Sequence, residues 1–284
     1  MNRFVDGLKK ATRPPSRRRV VYTCMFGYSE KFADRRIARD GLTDYICFTD
    51  DPDLTSRHWQ IRKIDSSELG PVKTSKMVKI LAHEFVGEYA ESLYIDNTVE
   101  LKIPVATIFS YLQKSISPLI CFRHPDRDCI YEEAKVVAEI GYDDADVIDR
   151  QMERYRALGY PSHAGLIAGS ALLRSHHDPL LVSMMRSWFE EVRSYSYRDQ
   201  LSFIFVARKY QFEPSYFVGS VTNNSLLEWP VVAGPRLPRG FRDDEYLALH
   251  ADVRESKINP RLHYIKYGAG EGRAWSRAGG SGNL

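Results

Sequence analysis

The chain has 284 residues, enough for one large α/β domain and a small appendage, and its 43% hydrophobic and 27% charged residues are those of an ordinary globular protein with a sizeable core. A net charge of +3 is too small to argue for nucleic acid as a partner, and no stretch of ~20 apolar residues exists to span a bilayer. Much of the positive surplus lies in residues 1–19, where Arg3, Lys9, Lys10, Arg13, Arg17, Arg18 and Arg19 face only Asp6. That segment reads as a solvated, flexible tail; the sharper alternative is attraction to an anionic membrane surface. No apolar run of ~7–15 residues follows it, so it is not a secretory signal. Cys24, Cys47, Cys121 and Cys129 form no C-x-x-C pair, and three of them fall inside expected strands. They read as small buried residues in a reducing compartment. A cytoplasmic protein is expected, with peripheral contact at the inner face of the membrane as the further reading.

Strand-like and helix-like runs alternate along the chain. Arg19 to Phe26 (RVVYTCMF) is a strand of β-branched and aromatic residues, and Asp44 to Asp50 (DYICFTD) a second, with a helix expected over Asp34 to Asp40. His58 to Ile64 is a more exposed third strand. Lys73 to Val86 carries helical periodicity at Met77, Ile80, Leu81 and Phe85. Ser92 to Asp96 (SLYID) is a buried strand ending on Asp-Asn-Thr, and Val105 to Gln113 a helix behind Pro104. Pro118 to His124 is a strand; Cys129 to Gly141 and Asp146 to Leu158 are helices. Gly165 to Ser175 reads as a short strand pair, followed by helices over Leu180 to Val192 and Asp199 to Tyr210. This alternation predicts an α/β fold with a mostly parallel sheet covered on both faces. Three prolines and two glycines mark residues 228–242 as a linker. The expected organisation is a tail (1–19), a main domain (20–227), the linker, a small helical module (243–275) and a flexible end (276–284).

Ligands of open α/β sheets bind beyond the carboxyl ends of the strands. Those ends here are Thr23 and Gly27, Thr49 and Asp50, Asp96 and Asn97, Arg123 and His124. Strand-to-helix turns recruit such residues as caps anyway, so each alone is ordinary; four polar ends on one rim point to a site. A carboxylate such as Asp96 holds Mg²⁺ or Mn²⁺, or accepts a ribose hydroxyl, in enzymes that must neutralise a departing diphosphate. The usual strand-end signal is Asp-x-Asp, and Thr98 in the third position leaves it incomplete. Lys76 and Lys79, upstream of that strand, are spaced to reach phosphate oxygens and partly replace a metal; Lys73 reads as solvated. In Phe122 to Lys135, Arg123, His124, Arg127, Glu132 and Glu133 crowd a strand end and the start of a helix. Glu133 reads as an acid at a helix N-terminus, and the group as a charge network for a polyhydroxylated ligand. Arg198, Asp199 and Gln200 open a helix; Asp199 is either its cap or an orienting acid, and Arg198 a partner for a leaving phosphate. His163, His176 and His177 are candidates to complete a metal sphere with Asp96.

The strings VVYTCMFGY, DYICFTDD, KTSKMVKILAH, LYIDNTVEL, FRHPDRDCIYEEA, GYPSHAGLIAGSALLRSH and YRDQLSF, in this order over about Val20 to Phe217, resemble the TOD/MUCI-like glycosyltransferase-like domain family. The resemblance implies a GT-A-like, Rossmann-type sheet that binds a nucleotide sugar, a UDP-sugar being favoured. It also implies a distant likeness to glycogenin-type retaining transferases, in which an Asp-Gln pair lies near the reacting sugar; Asp199-Gln200 matches that pair. Under this reading Thr23, Gly27, Thr49 and Asp50 line the nucleotide pocket. Asp96 and Asn97 meet the diphosphate, any metal or the sugar; Lys76, Lys79, His124, Arg127 and Glu132 complete the donor site. Arg198, Asp199 and Gln200 carry the chemistry, with a divalent cation (Mn²⁺ or Mg²⁺) an open question because of Thr98. Asp243 to Trp275 resembles a short module found beside bacterial polysaccharide-building glycosyltransferases, which implies a surface-glycan or glycolipid acceptor. Alternatives are a carbohydrate-binding scaffold without catalysis, and a hydrolase or nucleotidyltransferase on the same sheet.

Overall fold

A computed structural model describes residues 16–27, 32, 34, 37, 39–230, 238, 241–256, 258–268 and 271–276. The tails expected at 1–19 and 276–284, the helix expected over 34–40 and much of the 228–242 linker lie largely outside the described residues. The chain runs β1 (Ser16–Met25), β2 (Thr43–Thr49), β3 (Gln60–Lys63), α1 (Gly70–Ile80), α2 (Ala82–Phe85), β4 (Tyr89–Ile95), β5 (Glu100–Leu101), α3 (Val105–Lys114) and β6 (Leu119–Arg123). It continues with α4 (Ile130–Glu139), α5 (Ala145–Ala157), β7 (Ile167–Arg174), α6 (Pro179–Ser194), α7 (Gln200–Lys209), β8 (Ser215–Tyr216) and β9 (Leu227–Glu228).

Seven strands form one sheet in the order β3-β2-β1-β4-β7-β6-β8. Every neighbour pair is parallel except those of β7, which runs against both β4 and β6. This is the expected α/β arrangement with a mostly parallel sheet, with one correction: Gly165 to Ser175 is not a strand pair but holds a single, fully buried strand. The physical reason is that the whole eight-residue run is buried between two strands and finds its partners on both sides rather than in itself. β7 reversed brings its first residues to the rim where β1, β4 and β6 end. Its register slips between Ile120, opposite Leu173, and Phe122, opposite Ala168, so the Gly169–Ser170 step bulges at that rim.

Both faces are covered. Val20, Tyr22 and Cys24 of β1 pack with α1, α6 and α7, while Val21 faces Leu93, Ile120 and α3. That two-sided burial is why the strands read as continuous apolar runs rather than alternating ones. α4 and α5 form a side unit whose core (Ile130, Ala134, Val137, Ile148, Met152, Tyr155) closes on Leu166 and Leu201. The expected helix over Lys73 to Val86 breaks at Leu81 into α1 and α2. Buried Arg174 donates to the carbonyls of Lys79 and Ile80 and bonds the Tyr22 hydroxyl, which itself donates to Lys79 O at 2.8 Å. α1 is thereby pinned to the sheet at Lys79. The four cysteines are buried and free, and burial pushes the Cys47 thiol up to about 12, so it stays protonated. The C-terminal module has its own small core of Phe241, Tyr246, Val253 and Tyr264.

His176 lies buried behind the sheet, its Nδ1 3.0 Å from Ser92 Oγ, and burial, with His177 and Arg174 nearby, drives its pKa down to about 3. A histidine neutral when folded but titrating near 6.5 when unfolded loses stability as pH falls through that window. From pH 7.5 to 4.5 this group alone removes about 2–3 kcal/mol. Denaturant titrations should give a smaller pH-dependent drop in His176→Gln than in wild type by that amount; equal drops would contradict the assignment.

Candidate active site

The carboxyl ends of β1, β4 and β6, the bulge of β7 and the start of α7 meet at one rim. Asp199 occupies the N-cap position of α7 yet makes no side-chain cap, unlike Asp144 and Asp178, whose carboxylates accept from the first backbone N–H groups of α5 and α6. Its carboxylate turns inward instead: Oδ2 lies 2.5 Å from Lys79 Nζ and Oδ1 3.4 Å from Lys76 Nζ. Asp199 and Lys79 are buried. Trp188 Nε1 donates to Asp199 O at 2.9 Å and fixes the helix start. Burial opposes the Asp199 charge, but the two ammonium groups overcome it and hold the carboxyl well below the usual range. Burial likewise opposes the Lys76 charge, and Asp199 raises its pKa nonetheless. Gly169 makes room for this pair, since a Cβ there would stand 2.8 Å from Lys79 Nζ and 3.4 Å from Asp199 Oδ2.

A second network adjoins the first. Glu133, 1% exposed, accepts from Arg127 Nε at 2.7 Å and from Arg198 Nη2 at 3.0 Å. His124 Nε2 stands 3.6 Å from Glu133 Oε2. His124 Nδ1 accepts from the backbone N–H groups of Asp126 and Arg127, which shapes the turn that delivers Arg127. Burial lowers the His124 pKa, and because Nδ1 accepts from two backbone N–H groups, the neutral ring keeps its proton on Nε2. Arg198 connects the two networks, lying within electrostatic range of Asp199 and Lys76 and 4.8 Å over the Tyr142 ring.

Asp96 accepts from the Tyr94 hydroxyl at 2.8 Å, and its N–H donates to Ser170 O. Asn97 Nδ2 reaches Met25 Sδ. Both line a cleft of about 350 Å³ with Thr23 and the aromatic residues Tyr45, Trp59 and Phe32. Thr23 is 1% exposed, and among the described residues its Oγ1 has no hydrogen-bond partner.

Other expected residues have duties within the fold. Asp50 accepts from Gly27 N at 2.9 Å and from Ser66 Oγ at 2.6 Å, stitching three strand ends together. Thr49 Oγ1 accepts from Asp51 N. Gly27 has φ +62° and lies so close to Pro71 that a Cβ would be 2.7 Å from its side chain. Gln200 Nε2 donates to Ile167 O and pins the start of β7. Glu132 is not with the other donor candidates: it is exposed and faces Asp128 and His163, whose ligand atoms and its own lie within 4.8 Å of one another. All three of these side chains are solvent-exposed. His176 and His177 bond Ser92 Oγ and Tyr89 O, at the far end of β4 from Asp96, so none of the three histidines joins it. Glu133, rather than Glu132, is the inward acid. Ile130, Glu133, Ala134 and Val137 share the buried helical face, so its place on the apolar stripe was the signal.

Among the described residues, the carboxylates at this rim have partners within the protein. Asp96 has one oxygen committed to Tyr94, Thr98 stands where a second carboxylate is usual, and Asp199 is occupied by two ammonium groups. Asp96 and Asp199, the carboxylates described at this rim, are thus already partnered by a tyrosine hydroxyl and by lysines.

The matching family model is the TOD1/MUCI70 glycosyltransferase-like domain, over residues 50–224. The chain belongs to that family. A curated relative, the "Probable hexosyltransferase MUCI70" of Arabidopsis thaliana, is 28% identical over 146 residues, which are 48% of this chain and 25% of the relative. The chain thus spans about a quarter of the length of that relative. Among solved structures, the apo form of the WbbM bifunctional glycosyltransferase aligns with a TM-score of 0.44 and 10% identity, over 71% of this chain and 38% of that one. Among the described residues no helix is long and apolar enough to cross a membrane.

Removing one partner of a buried ion pair costs about 3–5 kcal/mol. Asp199→Asn should lose stability on that scale in chemical denaturation, and Asp199→Asn with Lys79→Met should regain part of it. An unchanged midpoint in the single variant would mean the pair does not hold the site.

Proposed function

We propose that this chain is a glycosyltransferase that moves a hexosyl unit from a UDP-sugar to a hydroxyl of a surface glycan or glycolipid. The observation that carries the reading is Asp199: it forgoes its helix cap to lie against Lys76 and Lys79, on the rim that also presents Asp96. A buried carboxylate flanked by two lysines suits a bound sugar on one side and a diphosphate on the other. The family name and the curated relative support sugar transfer. The resemblance of the C-terminal module to those of bacterial polysaccharide-building enzymes supports the acceptor class.

In this reading the donor's nucleoside lies along the cleft of Thr23 and Asp96, and its sugar faces Asp199 and Gln200. As the acceptor oxygen bonds to the anomeric carbon, the bond to the phosphate breaks, charge grows on the departing diphosphate and the acceptor's hydroxyl proton passes to that diphosphate. Fixed cations at the rim, Lys76 foremost, stabilise that charge without reorganising. They also take over the work for which related chemistries use a divalent ion.

A ligand that binds only the folded state raises apparent stability by mass action. Among nucleotide sugars screened by thermal shift, a UDP-sugar should give the largest rise, and Asp96→Ala should abolish it. An unchanged rise in that variant removes Asp96 from the site, and product analysis showing no transfer to any acceptor or water would leave a binding protein. Chelation of the purified protein should leave the UDP response intact; its loss on chelation, with recovery on adding Mn²⁺, would show that the lysines do not suffice.

A further inference from the structure

We infer that Arg127 and Arg198, held side by side by the buried carboxylate of Glu133, form an anion subsite for the terminal phosphate of the donor's diphosphate, with Glu133 as its positioning residue. The inference rests on the donor reading above and extends it to the α4 side of the rim.

Glu133 lies on the inner face of α4, 1% exposed, and both its oxygens are used: Oε2 by Arg127 Nε at 2.7 Å, Oε1 by Arg198 Nη2 at 3.0 Å and Nε at 3.3 Å. One carboxylate therefore sits between two guanidinium groups that would otherwise repel each other. Two cations on one anion leave a net positive charge at the surface of the network. The arginine side chains are 26% and 24% exposed, against 1% for the glutamate, so the positive groups and not the negative one face solvent. Among the described residues, the two terminal amino groups of Arg127 and Nη1 of Arg198 have no hydrogen-bond partner. Those planar donors match phosphate oxygens in geometry and charge.

A purely structural ion pair would not need this arrangement. One arginine would neutralise Glu133, and the second adds a charge that folding does not call for. The geometry around it argues for a held posture: His124 shapes the turn that carries Arg127, while Tyr142 supports Arg198 from the other side at 4.8 Å. Arg198 directly precedes Asp199, so the subsite and the Lys76–Asp199–Lys79 group share one stretch of backbone.

The test compares UDP with UMP, which lacks the terminal phosphate, by isothermal titration calorimetry. Wild type should bind UDP at least tenfold more tightly than UMP. In Arg127→Ala and in Glu133→Gln the UDP affinity should fall at least tenfold while the UMP affinity stays within twofold, and the advantage of UDP should shrink at high salt. Arg127 is half-exposed, so its variant folds even where Glu133→Gln does not; circular dichroism and the unliganded melting temperature check both. A role confined to folding would lower UDP and UMP affinity together. Equal losses for the two nucleotides, or a UDP affinity unchanged in the Arg127 variant, would overturn the subsite and leave the donor reading standing. A wild type that binds neither nucleotide would overturn both.

Discussion

The arrangement of the rim depends on one buried ion pair, that between Asp199 and Lys79 at 2.5 Å. Taking two charges out of water is costly, and an interior of leucines would do as well for stability. The pair persists because its partners are locked by groups that have other reasons to be where they are. Arg174 and Tyr22 fix the end of α1 and so the root of Lys79; Trp188 fixes the start of α7 and so the root of Asp199. Gly169 clears the space between them. The supports come from β1, β7 and α6, so the pair forms only when these segments are assembled.

That dependence explains the shape of the charged rim. Lys76 reaches Asp199 from one side at a longer distance and remains partly exposed, while Arg198 extends the field toward Glu133. The result is a row of cations on a scaffold of two buried carboxylates, Asp199 and Glu133. Such a row is preorganised: the dipoles and charges are in place before any anion arrives, which is the property that makes fixed charges more effective than water. The side unit of α4 and α5 contributes the far end of the row. Its own core closes on Leu166 and Leu201, at the two segments that flank the rim, so its packing bears directly on where Arg127 and Arg198 stand.

Capping shows how ambiguous a single residue is before the fold is known. Asp144, Asp178 and Asp199 each stand at the start of a helix, and two of them do what aspartate does there. Only the third has lysines from another helix within reach, and its carboxylate goes to them. Asp50 went the other way: read as a donor ligand, it has both oxygens engaged in joining β1, β2 and the segment after β3.

The sequence by itself determined the alternation of strands and helices, the two-sided burial of the sheet and the family, because hydrophobic periodicity and long specific strings are local properties of the chain. It also determined that polar residues end β1, β2, β4 and β6. Only the tertiary structure decided which of those residues meet. The choice of Glu133 over Glu132, the turn of Asp199 away from its cap and the isolation of His163, His176 and His177 from Asp96 all depend on neighbours many tens of residues away. A reversed β7 with a bulge at Gly169 creates that neighbourhood, and strand direction and register are set by pairing between distant segments rather than by the segments themselves.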